Sequence, residues 1–204
     1  YIGVNKIWLI VGGIFSALEP LAFLAMALFA VYMYRKGEKS HPNKIALFWT
    51  IGASIVSFVG AGLLGFAHTL PQTNIYTHGT LVTAMHGHYA FWGAYAMIVL
   101  AIISYALPNL TGRKRYNNTS GHMAFWFSNV GMLGMTVAFG VAGVAQVYLE
   151  RKMKLDFMDV QNEIAIHFVV LLVCATLFTT GITLFIIEFI KYGKPTDEAL
   201  IKVE

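Results

Sequence analysis

Two histidines, His86 and His88, stand two apart in "MHGHYAFWGAY", residues 85–95, where every other residue is apolar, aromatic or glycine. Imidazole binds metals and carries protons near neutral pH. An ionisable group inside an apolar span marks a functional site by default. At about 100° per helical residue, two positions differ by about 200°, so the two rings point to nearly opposite faces. A single ion shared on one helix would need i, i+3 or i, i+4 spacing, as in HExxH. The triplet therefore reads as one helix serving two sites. Gly87 between the rings would let a large flat group approach the backbone. Heme is the natural flat ligand, because histidine is its common axial ligand. The plainer alternative is that each ring is a polar core group bonded to a neighbouring helix.

Glu19 lies in "SALEP", deep in another apolar run. An ionised carboxylate there costs several kcal/mol, so it must be paired or protonated. It suits proton handling or a place beside a buried metal, against the alternative of an acid bonded to backbone. Ser16 shares its face three residues earlier. Pro20 removes a backbone donor and can kink the helix at the acid. His68 in "GFAHTL" and His78 in "YTHGT" end and begin apolar runs, with Thr69, Tyr76 and Thr77 nearby. They suit an interface where the acid groups of a heme emerge, and equally an ordinary interface. His41, His122 and His167 read as structural or solvated. Phe91, Trp92, Tyr95 and Met97 read as packing that can also line a flat ligand. Glu188 reads as a snorkelling side chain paired with Lys191. The single cysteine, Cys174, reads as a small buried hydrophobe.

These residues need elements to hold them. The 204-residue chain is 57% hydrophobic and 12% charged, against about 25% charged in soluble domains. Mean hydropathy is +0.65. A membrane span needs about 20 apolar residues. Five segments qualify, at about 6–34, 45–70, 79–107, 121–149 and 164–191, ended or capped by residues such as Pro108, Asn109 and Asn118–Ser120. The expected fold is all-α, a polytopic transmembrane bundle in one domain. The net charge of +4 sits in short clusters between apolar runs, which argues for membrane lipid and against nucleic acid. Arg35, Lys36, Lys39 and Lys44 flank the first loop; Arg113, Lys114 and Arg115 lie in the third; Lys191, Lys194 and Lys202 follow the last span. The positive-inside rule then puts loops 35–44 and 108–120 and the carboxyl terminus in the cytoplasm. Arg151, Lys152 and Lys154 in the mixed fourth loop dissent. On this topology both His86 and His88 fall in the outer half of the bilayer.

"GGIFSALEPLAFLAMALFA", "GFAHTL", "YTHGT" and "HGHYAFWGAYAMIVLAIISYALP" together resemble the large heme-bearing subunit of bacterial nitric oxide reductase, of the cytochrome-c-dependent type, in the heme–copper oxidase superfamily. The likeness is close over residues 1–113 and beyond that rests on hydropathy and "AGVAQVYLER". It implies two b-type hemes, with His86 as proximal ligand of the high-spin heme and His88 as an axial ligand of the low-spin heme. Glu19 would stand near a non-heme iron whose histidine ligands lie upstream of this chain. Ser16 and Thr69 would line a proton path, and His78 would sit beside heme propionates, where a calcium ion is a further candidate. The implied activity is reduction of two nitric oxide molecules to nitrous oxide and water in denitrification. The implied setting is the bacterial inner membrane, with a cytochrome c subunit and a soluble electron donor as partners. About seven further spans would precede these five, which makes Tyr1 a truncation point. An oxygen-reducing terminal oxidase of the same superfamily and a heme-free proton-coupled transporter are the alternatives.

Overall fold

The computed structural model describes residues 5–37, 43–112 and 118–191. Tyr1, Lys39, His41, Arg113, Lys114, Arg115, Lys194 and Lys202 lie outside the described residues. Among the described residues all regular structure is helical. Among the described residues five helices are long and apolar enough to cross a membrane: α1 (Ile7–Lys36), α2 (Lys44–Thr69), α4 (Leu81–Leu110), α5 (Thr119–Lys152) and α7 (Ala165–Lys191). Two short helices, α3 (Pro71–Thr77) and α6 (Phe157–Glu163), join α2 to α4 and α5 to α7.

The bundle is organised around α4, which lies between α2 and α5, while α7 packs along α5 and α1 along α2. Lipid is as apolar as leucine, so membrane helices associate by close packing rather than by hiding apolar surface. Small residues permit it here. A Cβ built on Gly60 of α2 would stand 2.8 Å from the Tyr89 carbonyl of α4, and one on Gly93 would stand 2.6 Å from the Ser57 nitrogen. Both glycines lie in π turns, Phe58–Leu63 and Trp92–Ala96, which locally widen the two helices. Toward the Asn43 end of α2, helices α2, α4, α5 and α7 meet in an aromatic core. Trp49 takes Trp92, Phe125 and Phe185 edge-on at 6.0, 5.1 and 5.9 Å between ring centres. Ile45 and Met97 are fully buried beside it.

Helix ends carry the remaining backbone accounting. The sequence expectation ends the third span at Leu107, before Pro108. The helix instead continues to Thr111, and Gly112 closes it in the left-handed region at φ 63°. Proline cannot donate to the carbonyl four residues back, here that of Ser104. Asn43 supplies the missing donor: its Nδ2 donates to the Ser104 carbonyl at 2.7 Å. The Oδ1 of the same residue caps α2 by accepting from the Ala46 nitrogen at 3.1 Å. The opposite end of α4 is capped by Thr80, and the Leu81 nitrogen donates to the buried Gln146 of α5 at 2.9 Å. Glu188 is buried, at 6% exposure, so it does not snorkel to the surface as its position near a span end suggested. Cys174 is half-buried and its sulfur sits over Gly134.

Asn43→Ala removes a helix cap and leaves a buried carbonyl without its donor. The expected loss is about 2 kcal/mol. Thermal unfolding in detergent, followed by circular dichroism, should show a lower midpoint than Asn43→Asp, which keeps the cap.

Candidate functional site

Helix α1 is broken at residues 17–18, and the break places the acid. The first segment ends at Ser16, and a new segment starts at Glu19 with Pro20 as its second residue. Glu19 and Ser16 both reach a cavity of about 910 Å³ between α1, α2, α3 and α4. Thr69, His68, His78 and His86 line the same cavity. Thus five of the six residues singled out from the sequence, Glu19, Ser16, Thr69, His78 and His86, share one space. His88 stands apart from it. Its ring is exposed and tilts against Phe139 of α5, with 4.9 Å between centres.

The two histidines of the triplet are held differently. The Nδ1 of His86 bonds the Gly60 carbonyl of α2 at 2.9 Å. A carbonyl only accepts, so Nδ1 carries the proton and Nε2 keeps its lone pair. The Nδ1 of His88 bonds the Ala84 carbonyl of its own helix at 2.8 Å, which frees its Nε2 in the same way. Both rings therefore hold the tautomer a metal ligand requires, fixed by a backbone acceptor.

Around His86 the wall is made of small residues. Gly12, Gly13, Ala61, Gly65, Gly87, Ala90 and Ala94 line the cavity. No neighbour stands within 4 Å of a Cβ built on Gly87. One on Gly65 would meet His86 Cε1 at 3.3 Å and stand 3.9 Å from both His86 Nε2 and Glu19 Oε2. The space between imidazole and carboxylate is thus kept clear by an absent side chain. Large rings frame the opening: Phe91 and Tyr95 are mostly exposed and line the cavity, while Trp92 and Met97 of the same run are buried in the core. Trp92 also donates to Asn129 at 3.1 Å. The cavity is largely apolar and roomy, and a histidine with a free lone pair faces it. These features fit a planar metal-bearing group. Among the described residues no three His, Cys, Asp or Glu side chains converge on a point where they could hold a bare metal ion.

The sequence placed His68 at the interface. The structure stacks its ring on His86, with 5.0 Å between centres and 23° between planes. Gly60, the acceptor for His86, carried no signal, because any residue has a carbonyl. The run "GAGLLG" of residues 60–65 marked a close approach, but not what approached.

A bundle of apolar spans, with one imidazole aimed into a small-walled cavity and a second on the far face of the same helix, is the architecture of a polytopic membrane protein. The family model for cytochrome c and quinol oxidase polypeptide I matches residues 1–177, and the chain belongs to that family. It is also similar to a nitric oxide reductase subunit of Stutzerimonas stutzeri, with 41% identity over 202 residues. That match covers 95% of this chain and 43% of the relative, so the chain spans less than half the relative's length.

Substitution at two glycines should separate packing from site. Gly60→Val forces a side chain into the Tyr89 backbone and should cost about 1–3 kcal/mol of stability. Gly87→Val meets open space and should leave the unfolding midpoint within about 1 °C, since surface-like changes stay under about 0.5 kcal/mol. Parallel thermal melts of the two variants check this.

Proposed function

We propose that this chain is the carboxyl-terminal part of the catalytic subunit of a nitric oxide reductase. The reaction is 2 NO + 2 e⁻ + 2 H⁺ → N₂O + H₂O. Three things support the reading: membership of the oxidase family, the identity to a nitric oxide reductase subunit, and the site geometry. The observation that carries it is the bond from His86 Nδ1 to Gly60, which leaves Nε2 facing the cavity shared with Glu19. His86 would be the proximal ligand of a high-spin b-type heme, and His88 an axial ligand of a low-spin b-type heme on the opposite face. Such groups supply an open iron position for a diatomic and a route for single electrons.

The chain's own residues do the rest. Gly60 holds the His86 tautomer and raises its basicity as a ligand. Gly65, Gly87, Ala90 and Ala94 leave room for a flat macrocycle. Glu19 delivers protons in a dry setting, with Ser16 and Thr69 beside it on the same cavity wall. The Thr69 hydroxyl donates to the Phe66 carbonyl at 2.8 Å, and so presents its lone pairs to the space. His78 stands at the cavity rim, where propionates and a calcium ion would lie. The non-heme iron would take its histidines from spans preceding this chain in the complete subunit. Electrons would enter from a cytochrome c subunit and a soluble donor on the outer side of a bacterial inner membrane. Loops 35–44 and 108–120 and the carboxyl terminus would then be cytoplasmic.

The test is made in the complete subunit. His88→Ala should abolish the low-spin heme spectrum and leave the high-spin one. His86→Ala should do the reverse and abolish nitric oxide reduction. Glu19→Gln should keep both spectra and slow turnover by about 100-fold or more. Both heme spectra surviving either histidine change would defeat the assignment. Copper in place of non-heme iron on metal analysis would favour an oxygen-reducing oxidase.

A further inference from the structure

We propose that His68 is a positioning residue for His86, acting through its ring face. The inference rests on the reading of His86 as a heme ligand and adds a second constraint to it. The bond to Gly60 fixes one edge of the His86 ring. It restrains the plane only loosely, because the torsion between Cβ and an sp² ring is broad and a hydrogen bond tolerates misalignment. A ligand must aim its lone pair, so the plane has to be fixed by something else.

His68 meets that need. Its ring lies against His86 at 5.0 Å and 23°, within the range of offset stacking. It is anchored at two points of its own. Its Nδ1 bonds the Leu64 carbonyl at 2.8 Å, within α2. Its backbone carbonyl accepts from Asn74 Nδ2 of α3 at 2.9 Å. The last turn of α2 is thereby tied down by the short helix that follows it. The stack uses only the face of the ring: His68 Nε2 is buried and has no hydrogen-bond partner. A ring held by neighbours on one edge and pressing its face on a ligand is a plate that sets an angle.

The role differs from coordination and from proton transfer. It predicts that the flat face matters most, that Nδ1 contributes only through its anchor to Leu64, and that Nε2 does not matter. The variants are made in the complete subunit with its hemes. The readout is the iron–imidazole stretching band of the reduced high-spin heme, measured by resonance Raman spectroscopy, with the rate of heme loss beside it. His68→Phe keeps the face and loses the Nδ1 anchor to Leu64; its band should move clearly less than that of His68→Leu, and heme should be retained better. His68→Leu keeps bulk but not the flat face; its band should shift and broaden, and heme loss should rise about tenfold. Asn74→Ala loosens the anchor without touching the stack, and should displace the band in the same direction. An unchanged band in His68→Leu overturns the proposal, as does an equal displacement in His68→Phe and His68→Leu. If His68→Leu does not assemble, an unchanged band in Asn74→Ala overturns it and a displaced band supports it. A band that survives His86→Gly defeats the heme reading beneath, a result distinct from any His68 outcome.

Discussion

The rest of the structure depends on the near-contact of two backbones. Helices α2 and α4 touch at Gly60 and Gly93, where no Cβ would fit. In a bilayer there is no gain from hiding leucine from lipid, so helices hold together where their backbones can come close. That closeness puts a carbonyl of α2 within reach of an imidazole of α4. A side chain at Gly60 would separate the helices and take the acceptor away from His86. Packing and the orientation of the His86 imidazole are therefore one constraint, met at a single crossing.

Many polar groups of the bundle are answered by nearby backbone, although Ser57 Oγ at the Gly93 contact and Trp49 Nε1 in the core are buried without a partner. Thr50, Thr136 and Ser128 return their hydroxyl protons to carbonyls of their own helices four residues back. Asn43 answers the carbonyl that Pro108 leaves free. In an apolar surrounding each unanswered group would cost a kilocalorie or more. In α1 the break at residues 17–18 separates Ser16 from Glu19, and both line the cavity.

Much of this was legible in the sequence, and the exceptions have a common cause. Five apolar runs dictated five membrane-length helices, because length and polarity are properties of residue type. The two-residue spacing of His86 and His88 dictated opposite faces, because helical rotation is fixed. The union of Ser16, Glu19, Thr69, His78 and His86 in one cavity required three-dimensional packing, although each was recognisable alone. What sequence did not show was anything carried by backbone. The Gly60 carbonyl has no side-chain signature, and Pro108 looked like a helix end because its partner, Asn43, lies 61 residues away from the freed carbonyl in the chain. His68 looked interfacial because it ends an apolar run. Its stacking depends on how α2 crosses α4, which spacing within α2 cannot encode.

The placement of two imidazoles on opposite sides of one rod has a mechanical consequence. A helix is stiff along its axis, so the separation between the two rings is set by covalent geometry and is immune to small changes in packing. Rotation about the axis is another matter. Any turn of α4 that drives His86 further toward its cavity withdraws His88 from whatever lies on the other side. The two faces form a see-saw with Gly87 at its pivot. A substitution in α2 or α5 that rolls α4 by a few degrees would improve the grip on one side only by loosening it on the other. Evolution of either site is thereby tethered to the other through a rigid body rather than through any contact between them.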